Sequence, residues 1–319
     1  MVDQVLLVDV REQSVSIALT DPGARPETSH TVKCETQADL ISAVQRILAD
    51  SGHPALSGAV FGAPGPCIDG VIQVTHAKMR LDREQLREAL GAKRVELVND
   101  FQARALAVPL LSETCLEQIG GSPPRGDAPA AALGIGVGLG VSILNPDGFV
   151  GWTPSASEGG HVALAAATDR EAAVIGVLRG RHGHVSAERI LSEEGLGNIA
   201  WALQQLEGRD DPPFELGALA DTAIAGDPLA GEVFQLFSGW LGGMSGDLAL
   251  TAGARSGVYI FSALVLSVGA LFDRAVCRAR FEAKGPMSPY MDEIGLYLVT
   301  ATECGLLGLS SVLERPALR

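Results

Sequence analysis

Short apolar runs alternate along this chain with stretches whose apolar residues recur at helical spacing, the pattern of strands feeding helices. Val5–Asp9 and Val15–Leu19 predict two short strands joined by a tight connection. Thr36-Gln-Ala-Asp39 has the spacing of a capping box and opens an amphipathic helix to about Asp50. Leu56–Gly62 and Val71–Val74 are strand-like, with the turn-rich Ala63-Pro-Gly-Pro66 between them. Asp82 caps a helix to Leu90, and Gly91 ends it. Val95–Val98 then reads as a buried strand that delivers Asn99 and Asp100 at its carboxyl end, and a helical pattern follows from Phe101 to Val108.

Gly120–Pro129 reads as a loop, after which Ala131–Val137 and Gly140–Leu144 predict a second strand pair around glycines. The stretch from Asp169 to Thr251 is mostly helical by period, with interruptions expected at Gly195–Gly197, Asp210–Pro213 and Gly226–Pro228. Val258–Phe261 and Leu296–Thr300 read as strands and Glu303–Glu314 as a closing helix. A strand pair opens each half (Val5–Leu19, Ala131–Leu144), so the pattern predicts two related α/β domains with a cleft between them.

A length of 319 residues exceeds the size at which one core usually stops growing, which also favours two domains. The chain is 47% hydrophobic and 19% charged, enough to bury a large core. A net charge of −14 argues against nucleic acid and disfavours anionic membranes, because no basic stripe is available to meet phosphates. Five scattered cysteines, an odd number without a C-x-x-C pair, argue against a disulfide framework or a zinc site. No basic leader precedes an apolar segment, and the longest uncharged runs fall short of a membrane span, so a cytoplasmic protein is expected.

The polar residues carry the candidate chemistry. In open α/β sheets ligands sit outside the carboxyl ends of strands, which is where Asn99 and Asp100 fall. Asp100 is a carboxylate that can accept a hydroxyl proton, and Asn99 can both donate and accept. Taken alone, Asn-Asp after a strand is as well explained by a helix N-cap. Glu158, His161 and Glu188 can each bond ring hydroxyls, while Glu158-Gly-Gly-His161 alone is an ordinary polar turn. His182 and His184 lack a nearby third ligand for a metal.

Several segments, in order, resemble those of bacterial glucokinases: Leu97-Val-Asn-Asp-Phe-Gln-Ala103, Glu158-Gly-Gly-His-Val162, Gly183-His-Val-Ser-Ala-Glu-Arg-Ile-Leu-Ser192, Gly246-Asp-Leu-Ala-Leu-Thr251 and Phe281-Glu-Ala-Lys-Gly285. The resemblance runs nearly end to end and implies the superfamily of sugar kinases, actin and heat-shock ATPases. Its fold is a two-domain α/β, ribonuclease H-like arrangement of the actin/hexokinase type with an interdomain cleft. The expected extents are 1–109 plus 303–319 for the small domain and 110–302 for the large one. The resemblance further implies glucose contacts at Asn99, Asp100, Glu158, His161 and Glu188, with Asp100 as catalytic base, ATP with Mg2+ as donor, and a homodimer.

The nucleotide segments depart from that family pattern. Family members follow the first strand with Asp-x-Gly-Gly-Thr-Asn; this chain has Asp9-Val-Arg-Glu-Gln-Ser14, keeping Asp9 but replacing both glycines by Arg11 and Glu12. The second phosphate loop, normally Gly-x-Gly-Thr-Gly-Leu-Gly, is Gly134-Ile-Gly-Val-Gly-Leu-Gly140, so Gly136 and Gly138 remain while Val137 replaces the hydroxyl. The adenosine segment, normally a strand then Gly-Gly-Gly-Ile, reads Ile260-Phe-Ser-Ala-Leu264. Near the sugar, Thr-Asn-x-x-Trp becomes Thr75-His-Ala-Lys-Met79, which places His76 and Met79 at the expected rim. Replacing a loop glycine costs about 1–2 kcal/mol wherever φ is positive. A carboxylate such as Glu12 about 4 Å from a phosphate is repelled by roughly 4 kcal/mol at an effective dielectric of about 20. Three functional classes follow: an active glucokinase, a non-catalytic glucose-binding sensor or pseudokinase, and a kinase using another donor or serving as a structural partner.

Overall fold

The computed structural model describes residues 3–11, 14–75, 77–147, 151–155, 157–209, 212, 214–301 and 303–314. The chain forms two units, one of Met1–Ser112, Trp152–Ala156 and Ala301–Arg319, the other of Glu113–Gly151 and Ser157–Thr300.

In the first unit, β1 (Gln4–Val10) and β2 (Val15–Thr20) form the expected antiparallel hairpin, in register from Val5 opposite Thr20 to Val10 opposite Val15. β3 (His30–Val32) extends that edge, and β4 (Leu56–Ala63) and β8 (Val95–Asn99) add in parallel on the other side of β1, giving the order β3-β2-β1-β4-β8. A small antiparallel sheet of β5 (Cys67–Ile68), β6 (Val71–Gln73) and β7 (Arg80–Asp82) lies between them in sequence. Strand alternation decides what β1 contributes. Leu6, Val8 and Val10 join a core with Phe61 and with Leu40 and Val44 of α1 (Gln37–Asp50). Asp9 points to the opposite face, where it meets α11 (Cys304–Leu309).

The caps read from the sequence are present. Thr36 and Asp39 form a reciprocal capping box, Asp82 accepts from the Gln85 N–H to start α2 (Arg83–Leu90), and Gly91 ends α2 in the left-handed conformation at φ 62°. α3 (Asp100–Ala107) follows β8 directly, and α11 packs on it. The two helices approach closely: a Cβ at Gly308 would overlap the Ala103 carbonyl. The final helix is shorter than expected, because Ser310–Glu314 is in turns. β12 (Trp152–Ser155) also belongs to this unit and lies against α3.

The second unit repeats the plan. β10 (Ala130–Ile135) and β11 (Leu139–Pro146) form an antiparallel hairpin, and β13 (Val258–Phe261) and β14 (Leu296–Val299) add in parallel, with β9 (Leu116–Gly120) antiparallel at the far edge. The helices are α4 (Asp169–His182), α5 (Glu193–Leu206), α6 (Leu216–Ile224), α7 (Pro228–Ala252), α8 (Ala263–Val268), α9 (Arg274–Glu282) and α10 (Ser288–Asp292). The core includes Leu133, Ile260 and Leu298 from the sheet with Phe234, Phe237 and Trp240 from α7, all nearly without solvent contact. Burial of each such side chain stabilises by about 1.5–3 kcal/mol.

One expected break is absent: α5 runs through Gly195–Gly197 without interruption. Ser192 caps that helix by accepting from the Gly195 N–H at 3.0 Å, and a Cβ at Gly195 would overlap the Ile190 carbonyl. Glycine is needed there for close approach, not for a turn. Of the other two breaks, the one at Gly226–Pro228 is real, while much of Asp210–Pro213 lies outside the described residues. No helix among the described residues is long and apolar enough to cross a membrane.

Candidate functional site

Each unit assembles part of the polar set. In the first, the parallel strands β1, β4 and β8 end together, and α3 starts at the last of them. Asn99 is the N-cap: its Oδ1 accepts from Phe101 N–H at 2.9 Å and Gln102 N–H at 3.2 Å, and Gln102 bonds back to the Asn99 N–H. Its Nδ2 donates to the Gly65 carbonyl at 3.2 Å. An amide nitrogen carries two N–H groups, so one stays free for a ligand. The capping role and a ligand role are therefore compatible. Gly65 has φ 119°, and a Cβ there would come within 2.7 Å of the Gln73 carbonyl, so only glycine holds this turn against Asn99.

Asp100 occupies the first turn of α3 with its side chain mostly buried, 3.5 Å from Arg104 Nη2 one turn along. Burial pushes its carboxyl above the ordinary 3.8; Arg104 pulls the other way, and the nearby Asp9 adds to the rise. A carboxylate whose pKa is raised by burial is a stronger proton acceptor than one in water.

Asp9 itself is fully buried at the β1 end. Its Oδ2 accepts from Arg11 Nε at 2.8 Å, and Arg11 Nη2 also reaches Glu303 at 3.6 Å. Its Oδ1 is buried without a hydrogen-bond partner, and a Cβ at Gly305 would overlap the carboxylate. Arg11 N–H bonds the Ser14 carbonyl at 2.9 Å, closing the hairpin, and Arg11 is not at positive φ. The strain expected from losing a glycine is therefore absent at Arg11; Glu12 and Gln13 lie outside the described residues. The Mg2+ that the resemblance implies would need an open carboxylate oxygen on the protein. Asp9 does not offer one as arranged: Oδ1 has no partner but is buried beneath Gly305 of α11, and Oδ2 is held by Arg11. The residues present do not fit a protein-ligated magnesium.

In the second unit, Glu158, His161 and Glu188 come together. Glu158 precedes a single 3-10 turn, Gly159–His161, and its carbonyl accepts the His161 N–H at 3.0 Å. His161 Nδ1 stands 3.9 Å from Glu188 Oε1, and its carbonyl is bonded by His184 Nε2 at 3.0 Å. Glu188 Oε2 accepts the Leu139 backbone N–H at 2.9 Å. That bond ties the glycine turn to the polar set, and a Cβ at Gly138 would come within 2.7 Å of the same oxygen. Gly136 N–H bonds the Gly138 carbonyl, and the Gly136 carbonyl accepts from Glu193 N–H, leaving Val137 more than half exposed at the tip. Phe261 is buried at the end of β13 opposite Gly134, and Ser262 caps α8 in an extended backbone that needs no glycine.

One expected site residue is displaced. Met79 is a core residue at 3% exposure packed with Ile72 and Leu81, so it does not shape a sugar rim; His76 lies outside the described residues. One feature went unread in the sequence: a cavity of about 550 Å³ lined by Arg181, Glu193, Glu194, Trp201, Phe214 and Leu219 among others, with the Arg181 guanidinium 4.7 Å from the Trp201 ring centroid. Glu194, Asn198 and Trp201 recur at helical spacing on α5, which was the available signal.

Two hairpin-opened α/β units, with an aspartate in the first turn of the helix after β8, form the actin-like ATPase fold that sugar kinases share. The crystal structure of a glucokinase from an Antarctic psychrotroph is similar, with a TM-score of 0.89 at 26% identity, over 98% of this chain and 99% of that one. The glucokinase family profile matches residues 8–316. A glucokinase from Aromatoleum aromaticum is 40% identical over 312 residues, covering 97% of this chain and 94% of the relative. A glucokinase-like protein from Caulobacter vibrioides is 39% identical over 311 residues, 96% of each. The chain belongs to the glucokinase family.

Proposed function

We propose that the chain transfers the terminal phosphoryl group of ATP to glucose, forming glucose 6-phosphate, with Asp100 as general base and a weak grip on the nucleotide. The observation that carries this reading is the buried Asp100 carboxylate, with raised proton affinity, next to an asparagine that keeps one N–H free. In the second unit, Glu158, His161 and the Oε1 of Glu188 supply acceptors and a donor suited to sugar hydroxyls. Asp100 takes the hydroxyl proton as the oxygen attacks the terminal phosphorus, the bond from that phosphorus to the bridging oxygen breaks and ADP leaves, and the remaining groups fix the ring.

The weak nucleotide grip rests on the first hairpin and the glycine turn. Arg11 replaces an open backbone approach to phosphates with an ion pair, and Val137 presents an apolar tip where the family has a hydroxyl. The same features favour a second reading, a glucose-binding sensor without turnover. A coupled glucose-phosphorylation assay run beside calorimetric titration with glucose separates the two. Glucose binding with turnover supports the first reading, binding without turnover supports the second, and no binding at millimolar glucose overturns both.

A further inference from the structure

We propose that Arg11 is the resident cation of the Asp9 carboxylate, occupying from within the chain the place where a divalent cation arriving with a polyphosphate would otherwise find a protein ligand. The inference rests on the reading that the donor's phosphates approach the β1–β2 hairpin.

Asp9 is held rigidly. Strand alternation turns it away from the Leu6–Val8–Val10 side of β1, and it has no solvent exposure. α11 closes over it at Gly305, where any side chain would collide with the carboxylate. A buried carboxylate needs a compensating charge, and the cation beside it is Arg11, with Nε on Oδ2 at 2.8 Å. Glu303, itself half exposed, draws Nη2 of the same guanidinium at 3.6 Å, so the arginine is fixed from two sides. Its side chain is about one-third exposed. The second Asp9 oxygen has no partner, so the carboxylate is only half compensated and is poised to take a cation once the arginine is removed.

Arginine and a hydrated divalent ion both supply positive charge, but arginine is permanently charged and travels with the chain. A protein built this way gains nothing at Asp9 from free Mg2+ or Mn2+. Arg11 then neutralises Asp9 from within the chain, and that pairing does not depend on cation concentration.

Thermal unfolding of the full chain, without sugar or nucleotide, tests this with MgCl2 and MnCl2 as probes. Divalent ions also stabilise an acidic protein nonspecifically, so the informative quantity is the part that Asp9 controls. The wild-type melting temperature should respond to about 10 mM of either ion no more than that of Asp9→Asn. Arg11→Gly should melt lower than wild type and recover by roughly 3 °C or more with the ion. The double variant Asp9→Asn/Arg11→Gly should lose that recovery. If Arg11→Gly does not fold, Arg11→Gln, neutral and of similar length, enters the same comparison. A wild-type shift that Asp9→Asn abolishes overturns the proposal, as does an Arg11 variant whose response equals that of its Asp9→Asn double. Failure of glucose phosphorylation would overturn the proposed activity and leave these melting curves unchanged, so the two outcomes are distinguishable.

Discussion

Glu188 carries two tasks on one carboxylate, and two substitutions separate them. Oε2 accepts the Leu139 N–H, while Oε1 faces His161. Leu139 is buried, so Glu188→Ala strands its N–H; a buried donor left unpaired costs about 1–3 kcal/mol, and the charged acceptor places this bond near the middle or top of that range. At about 2–4 °C per kcal/mol, the melting temperature should fall by roughly 4–8 °C. Glu188→Gln keeps an amide oxygen for the same N–H and should fall by less than about 3 °C. For sugar binding the two variants converge, because both lose a charged acceptor worth about 1.5–3 kcal/mol, or roughly 10- to 150-fold in affinity. Differential scanning calorimetry of the free protein and titration with glucose read the two tasks independently. Equal melting of both variants would show that this bond does not hold the glycine turn, and undiminished glucose affinity in Glu188→Gln would remove Glu188 from the sugar site.

Asp100→Asn should lower kcat/KM by about 10²–10⁴-fold, as expected for loss of a general base, while glucose affinity changes little. Because the folded-state pKa of Asp100 is raised, its stabilising contribution is present below its ordinary 3.8 and is lost as pH rises through the raised value. Asp100→Asn should therefore melt above wild type at pH 7, with the gap closing toward pH 4; a variant less stable at pH 7 would contradict this. Gly305→Ala should destabilise by about 1–3 kcal/mol, because the added methyl overlaps the buried Asp9 carboxylate, measured by urea unfolding. Restoring the family residues at Arg11, Glu12, Gln13, Ser14 and Val137 (Gly, Gly, Thr, Asn and Thr) should raise ATP-dependent glucose phosphorylation, and no gain would place the limiting step elsewhere. Light scattering at micromolar concentration should give a dimer mass, and a monomer would refute that expectation.

What was legible in the sequence was local. The caps at Thr36, Asp82 and Asn99, the stop at Gly91 and the hairpins that open both units each depend on a few neighbouring residues. Asn99 could be read as cap or ligand, and its side chain caps the helix and still keeps one N–H free. What was hidden depends on distant contacts. Gly195 reads as a breaker until Ile190 is seen against it, and Met79 reads as rim until the core forms around it. β7 has only three residues, and β9, Leu116-Glu-Gln-Ile-Gly120, interrupts its two apolar residues with two polar ones and buries none of them fully, so neither registers as an apolar run. The Arg11 substitution was visible, but not that the guanidinium turns back onto Asp9, because α11 and Glu303 arrive from the other end of the chain.

That arrival has a consequence for biogenesis. Asp9 precedes the second unit in the chain, yet the helix that covers it, Cys304–Leu309, follows that unit, so the whole second unit is synthesised between them. The second unit is complete before its partner, so a growing chain acquires a folded middle while its beginning still waits for closure. During that interval the Asp9 carboxylate and the small-residue face of α3 at Ala103 stay open to water and to chaperones. A chain ending at Thr300 and held on the ribosome by a linker long enough to clear the exit tunnel should display a protease-resistant second unit and a protease-sensitive first one, with protection of β1 and β2 appearing only when Cys304–Leu309 is added.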